Sequence, residues 1–482
     1  MMAYKKHRNI SNTLFSILDT LFLPLLMILA TPLFITNLGM GSYGKWMLIN
    51  SLVIAFSVLN IGGVDTVIMY ISKYRENDDV VSINEIFSTV FITQLLLALA
   101  FVVCGFYLPP LIIKSSIFNL GTVNDTEFGL ALQYGILIFS LKLLEQVLFA
   151  YFKAYERYDI ASILSMLSKF LLIFIQVVVV LNSGRLDDVF RSSFILLFIV
   201  VCLEIFYIKR IKSDLNFFTD FKVKRIFEIF HFTKWSWIIS IVGTIAGQMD
   251  RWILAALANM KTLGLYSLTL LVFNNLHSIT SSSVSWIFPK VSRESNKDIV
   301  FEYYCELQGL LLFSSISISF LLIVFDGIFK LWLDSNTYHS VIDHIHLILL
   351  FLPIYSLGIL PFHIVKAKGY IKHNFYSDAI TLIIRIIAIY ILYHYYGLSG
   401  IIMAIGLSGF FISIYLSVVM KIKIFSEYKL SLSKIFLIPL FYVGSMLTTH
   451  IFLKLVLVVI MCCFFYSVFS VHLSNILKKR SL

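Results

Sequence analysis

From Ile86 to Leu108 the sequence reads IFSTVFITQLLLALAFVVCGFYL, 23 residues without a formal charge. Wound as an α-helix at 1.5 Å per residue, such a run is about 35 Å long and crosses a hydrocarbon core of ~30 Å. A barrel strand would instead show about ten residues of alternating polarity. Lipid offers no hydrogen bonds to the backbone, so the run predicts a membrane-spanning helix. The rest of the chain is built in the same way: 59% of its 482 residues are apolar and 13% are charged. A soluble domain is about a quarter charged, so an ordinary soluble protein is excluded. The apolar residues suffice for roughly fourteen spans of ~20 residues.

Apolar stretches bounded by charge place spans at Leu14–Phe34, Trp46–Met69, Ile86–Leu108, Leu130–Tyr151, Ile160–Leu181 and Val189–Ile208. A second set runs Trp235–Ala258, Leu265–Phe288, Leu307–Trp332, His344–Val365, Phe375–Tyr396 and Ser399–Met420, and Ile435–Phe452 and Leu455–Ile476 close the chain. The expected fold is an all-α polytopic membrane protein of about 14 transmembrane helices. The first apolar run carries no small-residue cleavage site, so no signal peptide is expected. All five cysteines sit inside apolar runs, which argues against a disulfide framework or a zinc site.

Cations set orientation. With the N-terminus inside, 27 of the 38 Lys and Arg fall on the cytoplasmic side, seven of them within Lys209–Lys234, and 7 fall on the other face. Both termini are therefore expected in the cytoplasm, and the net charge of +11 reflects topology, with no nucleic-acid partner implied. The remaining four cations, Lys142, Lys169, Arg251 and Arg385, lie within spans.

The connection 209–234 separates two sets of six spans that echo each other. Asn37-Leu38-Gly39 with Tyr43-Gly44 has a counterpart in Asn259-Met260-Lys261 with Tyr266-Ser267, Lys73-Tyr74-Arg75 in Val291-Ser292-Arg293, and Lys153-Ala154 with Tyr158 in Lys366-Ala367 with Tyr370. Matches in one order at nearly one offset describe parallel six-helix repeats, a transporter architecture. The expected domains are a lobe over 1–208, a linker over 209–234, a second lobe over 235–420 and two further helices in 421–482.

This layout, with Arg8-Asn9-Ile10-Ser11-Asn12-Thr13 at the start, Asn37-Leu38-Gly39 to Tyr43-Gly44, and Gln248-Met249-Asp250-Arg251-Trp252 in span seven, resembles the Wzx-type O-antigen flippases. These form part of the polysaccharide transporter branch of the MOP (multidrug/oligosaccharidyl-lipid/polysaccharide) exporter superfamily. The resemblance implies two lobes around a central cavity and export of an undecaprenyl-pyrophosphate-linked oligosaccharide across the bacterial inner membrane. It also implies the bilayer and other polysaccharide assembly proteins as partners, no cofactor and no enzymatic step.

Read from the residues themselves, each cation at the membrane midplane costs about 2.5–3.5 kcal/mol, so four facing lipid would cost roughly 10–14 kcal/mol. That rivals a domain's net stability of about 5–15 kcal/mol, so they must face protein or water. Glu145 lies one turn from Lys142 and can neutralise it. Asp250 adjoins Arg251, but helix neighbours point about 100° apart. Lys169 and Arg385 have no acid within four residues and occupy equivalent places in the two repeats, so they are expected to face a shared cavity unpaired, as a pyrophosphate site. The opposing reading is that Asp19, Asp65, Glu204, Glu306 or Asp378 pairs with them from another helix. Asp250, Asp65, Asp19 and Glu145 are candidates for ion coupling, because desolvation lets a buried carboxyl take up a proton. Glu204 and Glu306 read as acids snorkelling to the cytoplasmic ends.

Pro24, Pro32, Gly62-Gly63, Pro353 and Pro361 mark candidate bends. Gly39 to Lys45 has the G-x-x-x-x-G-K skeleton of a phosphate loop, but Trp46 occupies the Ser/Thr position and no strand precedes it, so no ATPase is expected. His339, Asp343, His344 and His346 match no established metal spacing and read as a polar loop. A multidrug antiporter remains as an alternative, although organic cations would want an acidic cavity. A membrane polymerase would want a large outer loop, and the longest here, from Leu108 to Glu127, is short.

Overall fold

The computed structural model describes residues 2–59, 63–121, 125–211, 215–218, 220–284 and 286–424. Among them run α1 (Met2–Phe56), a 3₁₀ turn (Ser57–Leu59), α2 (Gly63–Arg75), α3 (Val80–Ser115), α4 (Thr126–Ala154), α5 (Tyr158–Asn182) and α6 (Leu186–Ile211). There follow α7 (Val223–Leu257), α8 (Met260–Val284), α9 (Ile287–Arg293), α10 (Lys297–Val324), α11 (Gly327–Trp332), α12 (Ser335–Leu349), α13 (Leu352–Ala367) and α14 (Ile371–Lys423). The chain is an all-helical polytopic membrane protein. The two spans expected at Ile435–Phe452 and Leu455–Ile476 lie outside the described residues.

Two helices are too long to be single spans. Helix α1 has 55 residues and α14 has 53, about 80 Å of helix each against a ~30 Å core. Each is broken by a glycine in the left-handed region, Gly39 at φ +80° and Gly397 at φ +54°. These breaks fall between the first and second expected spans and between the eleventh and twelfth. A residue with a Cβ pays strain at such angles, and glycine does not. The second span is interrupted again after Phe56 and resumes at α2. The tenth divides into α12 and α13, bent by 43° at a break just before Pro353, whereas Pro24, Pro32 and Pro361 are carried inside continuous helices.

Among the described residues, seven helices are each long and apolar enough to cross a membrane, or eight with the bent pair α12–α13. Helices α7 and α8, also expected as spans, are not among them. They carry Gln248-Met249-Asp250-Arg251 and Thr280-Ser281-Ser282-Ser283, polar sequence suited to facing protein.

By contact the chain divides into two units, one ending at Ser267 and the other starting at Leu268. In the first, α4 is the central helix: 78% of its apolar window is buried, against 22% in α3 and α5. It packs on α1, α2, α3, α5 and α6, while Leu96, Leu99, Val103 and Phe106 of α3 are exposed, as lipid-facing residues are. The connection before α7 is laid along α3. Asn216 N–H donates to Asn84 Oδ1 (3.3 Å), Ser88 Oγ to Phe217 O (3.2 Å) and Lys222 N–H to Thr89 Oγ1 (3.1 Å). Phe217 inserts between Phe87 and Phe91, with ring centroids 5.2 and 5.1 Å away. Helix α7 packs against α1 and α3.

At the kink in α1 the turn into α8 comes very close. A Cβ on Gly44 would lie 1.9 Å from Met260 O, and one on Gly264 would lie 2.4 Å from Met40 O. Only glycine permits this approach. In the second unit, α13 packs against α9, α10 and α14.

Candidate functional site

Helix α7 brings Asp250 and Arg251 beside α1 and α8, and Trp252 fastens it to α1 by donating from Nε1 to Ser51 Oγ (3.1 Å). Asp250 is 3% exposed. Its Oδ2 accepts a short hydrogen bond from the Tyr266 hydroxyl, and its Oδ1 has no hydrogen-bond partner among the described residues. Arg251 points away, as the 100° step between helix neighbours requires. One arm of its guanidinium donates to Gln248 Oε1 at 2.6 Å, and its buried Nε has no hydrogen-bond partner among the described residues. No ion pair to Arg251 occurs among the described residues. A guanidinium held by a neutral amide keeps its charge and its planar fork for an anion.

Lys169 corrects an expectation. It is not unpaired: its Nζ donates to Asp19 Oδ1 at 2.6 Å and to Asp19 O at 2.8 Å, joining α5 to α1. The acid is supplied 150 positions earlier in the chain, so four-residue proximity could not reveal it. Lys142 and Glu145 form the one-turn pair at 2.6 Å, and Ser168 from α5 joins it, accepting from Lys142 Nζ (3.2 Å) and donating to Glu145 Oε1. Beside them stands a carboxylate that the sequence reading set aside. Glu204 of α6 does not snorkel; it is 4% exposed, and neither carboxylate oxygen has a hydrogen-bond partner among the described residues. Its place only five residues before Lys209 suggests a membrane edge, and no linear signal marks the pocket that α4 and α5 build around it.

In the second unit Arg385 is set among hydroxyls. Its Nε donates to Ser408 Oγ (3.2 Å) and an Nη to Tyr355 Oη (3.3 Å), while Tyr355 donates onward to Ile405 O (3.0 Å). Arg385 also lies within electrostatic reach of Asp378, two turns earlier on α14. Phe273 and His277 stand edge-on to the Tyr355 ring at 5.0 and 5.7 Å. Lys169 and Arg385, equivalent by sequence, therefore differ in their surroundings. Tyr355 had no sequence signal beyond its place in an apolar run.

The Asp65 side chain lies outside what is described. The histidines separate: His344 Nδ1 pairs with Ser399 Oγ (3.4 Å), and His346 faces Asp326 (3.7 Å). No group of three or more metal-ligating side chains gathers among the described residues.

No protein-family model and no curated protein sequence matches the chain. Solved structures do match in fold. The lipid II flippase MurJ in an inward closed conformation is similar over 96% of this chain and 99% of its own, with a TM-score of 0.68 and 18% identity. A multidrug resistance MATE family transporter in an inward-facing conformation is similar over 84% of this chain and 95% of its own (TM-score 0.67, 14% identity). A MOP-superfamily transporter from Pyrococcus furiosus is similar over 86% of this chain and 96% of its own (TM-score 0.57, 13% identity). These neighbours are transporters, not enzymes, and the fold of this multi-pass membrane chain is the one that MOP-superfamily transporters share.

Proposed function

We propose that the chain is a flippase that moves an undecaprenyl-pyrophosphate-linked oligosaccharide, an O-antigen repeat unit, from the cytoplasmic to the periplasmic leaflet of a bacterial inner membrane. It does so by alternating access driven by an ion gradient, with both termini in the cytoplasm. The proposed architecture is two six-helix lobes, 1–208 and 235–420, joined by 209–234 and followed by two further helices in 421–482. Lys142, Lys169, Arg251 and Arg385 form the cationic set for the pyrophosphate, and Asp250, Asp19, Asp65 and Glu145 are the candidate coupling acids.

The observation that carries this reading is Arg251: a cation of span seven whose fork donates to Gln248 and, among the described residues, meets no acid, while the adjacent carboxylate is engaged by Tyr266. An anionic cargo is what such a group attracts; an organic cation would be repelled. The fold likeness to a lipid II flippase over nearly the full length of both chains supports the same reading. A small-molecule antiporter is the second reading, favoured by the comparable TM-score of the MATE transporter.

The test is complementation of a host whose own O-antigen flippase is deleted. Arg251→Gln is expected to abolish surface polysaccharide at unchanged membrane abundance, and Arg251→Lys to retain a fraction. Full polysaccharide with Arg251→Gln refutes the role of this residue. Failure of the wild-type chain to restore polysaccharide with any lipid-linked repeat unit, combined with drug resistance conferred on a sensitive strain, selects the antiporter.

A further inference from the structure

Helices α4, α5 and α6 enclose three charged side chains whose balance is incomplete. Lys142 and Glu145 satisfy each other at 2.6 Å, with Ser168 bridging both. Glu204 stands within electrostatic reach of the pair, nine-tenths buried, with both oxygens lacking a hydrogen-bond partner among the described residues. The groups facing it from α4 are Lys142 and Glu145, and from α5 the Ser168 hydroxyl. On α6 itself Tyr207 and Arg210 border the same cavity, a space of about 330 Å³ walled by Leu167, Leu171 and Leu203.

A lone buried carboxylate without donors costs several kcal/mol, and a group so placed changes its protonation instead of remaining a bare anion. Among the described residues the cation whose charge acts on Glu204 is Lys142, already matched by Glu145, so an ionised Glu204 would leave these three side chains with a net charge of −1. A metal cation is a poor answer to that deficit. Hard cations take about six oxygen ligands, whereas Ser168 and Glu145 are engaged and Glu204 alone has free oxygens.

We propose that Glu204 is a proton-exchange site, reached through the cavity between α5 and α6, with the Lys142–Glu145 pair as its counter-charge. The proton binds one carboxylate oxygen of Glu204 and leaves from the same atom. With the proton on, the cluster is neutral and Lys142 stays on Glu145. With it off, two carboxylates compete for one ammonium across α4 and α6, so protonation is coupled to how these helices are held together. A contribution of this switch to export rests on the flippase reading; proton binding does not.

The experiment is pH-difference infrared spectroscopy of the full chain in lipid vesicles, comparing wild type, Glu204→Gln and Glu204→Asp. Wild type is expected to show a protonated-carboxyl band that disappears on alkalinisation. The band should be missing in Glu204→Gln and restored, at a shifted frequency, in Glu204→Asp. A band of full intensity in Glu204→Gln overturns the proposal, and so does one that responds to sodium at fixed pH in place of pH itself. Dicyclohexylcarbodiimide, which modifies protonated carboxyls in apolar surroundings, should label Glu204 and spare the ion-paired Glu145; labelling of Glu145 in its place also overturns it. Polysaccharide export is scored separately. Export by Glu204→Gln equal to wild type removes the coupling role while the flippase reading stands, and a wild-type chain that shows the band but exports nothing sinks the flippase reading alone.

Discussion

Lys169 shows what one ion pair changes. It holds Asp19 across α5 and α1, so its replacement leaves a half-buried acid without its partner, which destabilises the packing of the two helices. Loss of export in Lys169→Gln is therefore ambiguous until Asp19→Asn is added. If Lys169 only ties helices together, the double variant should recover membrane abundance and export towards wild type; if it contacts cargo, the double variant should be as abundant as wild type and remain inactive. Immunoblots and surface polysaccharide distinguish the outcomes. Arg385→Gln is expected to lose export at normal abundance, because its hydrogen bonds to Ser408 and Tyr355 are to neutral hydroxyls, which tolerate the change. At this scale the sequence was legible only where partners share a helix. Lys142 with Glu145 follows from one-turn spacing, but Lys169 with Asp19, and Glu204 beside that first pair, exist only once helices from distant parts of the chain are packed.

Elements carry their own predictions. Asp125 caps α4, accepting from Phe128 N–H at 2.9 Å, and also pairs with Lys45. Asp125→Asn should keep the cap and lose the pair. Asp125→Ala should lose both, with the cap alone costing about 1 kcal/mol, and thermal unfolding in detergent should rank wild type, Asn and Ala in that order. Gly39→Ala should destabilise α1 by roughly 1–2 kcal/mol, because its φ lies where a Cβ clashes with the carbonyl. Although α7 and α8, also expected to span, are not among the helices long and apolar enough to cross, the spans carried by the most apolar helices were readable because hydropathy depends on composition alone. Their interruptions were not: Gly39 and Gly397 look like any other glycines in apolar sequence, since glycine is common in membrane helices for packing as well as for turns. Of the prolines read as bends, only Pro353 stands at a break, because a neighbouring helix can satisfy the carbonyl that a proline frees.

For the whole molecule, polytopic membrane class followed from charge content, and the fold shared with MOP transporters followed from arrangement. Short motifs pointed to that superfamily, yet 18% identity to the lipid II flippase MurJ leaves the cargo to chemistry. The contact between Met40–Gly44 and Met260–Gly264 is reciprocal. Met-x-x-x-Gly occurs on each side, and each glycine meets the carbonyl of the other side's methionine. Gly44→Ala and Gly264→Ala should each part the two segments, with overpacking costs of about 1–3 kcal/mol, and should speed modification of a cysteine introduced at Met40. A contact in which each partner presents the same atoms to the other is self-complementary, the geometry of identical subunits about a dyad. With glycine required on both sides of one contact, the kink of α1 and the start of α8 act as a single matched joint, and a larger residue on either side is felt by both.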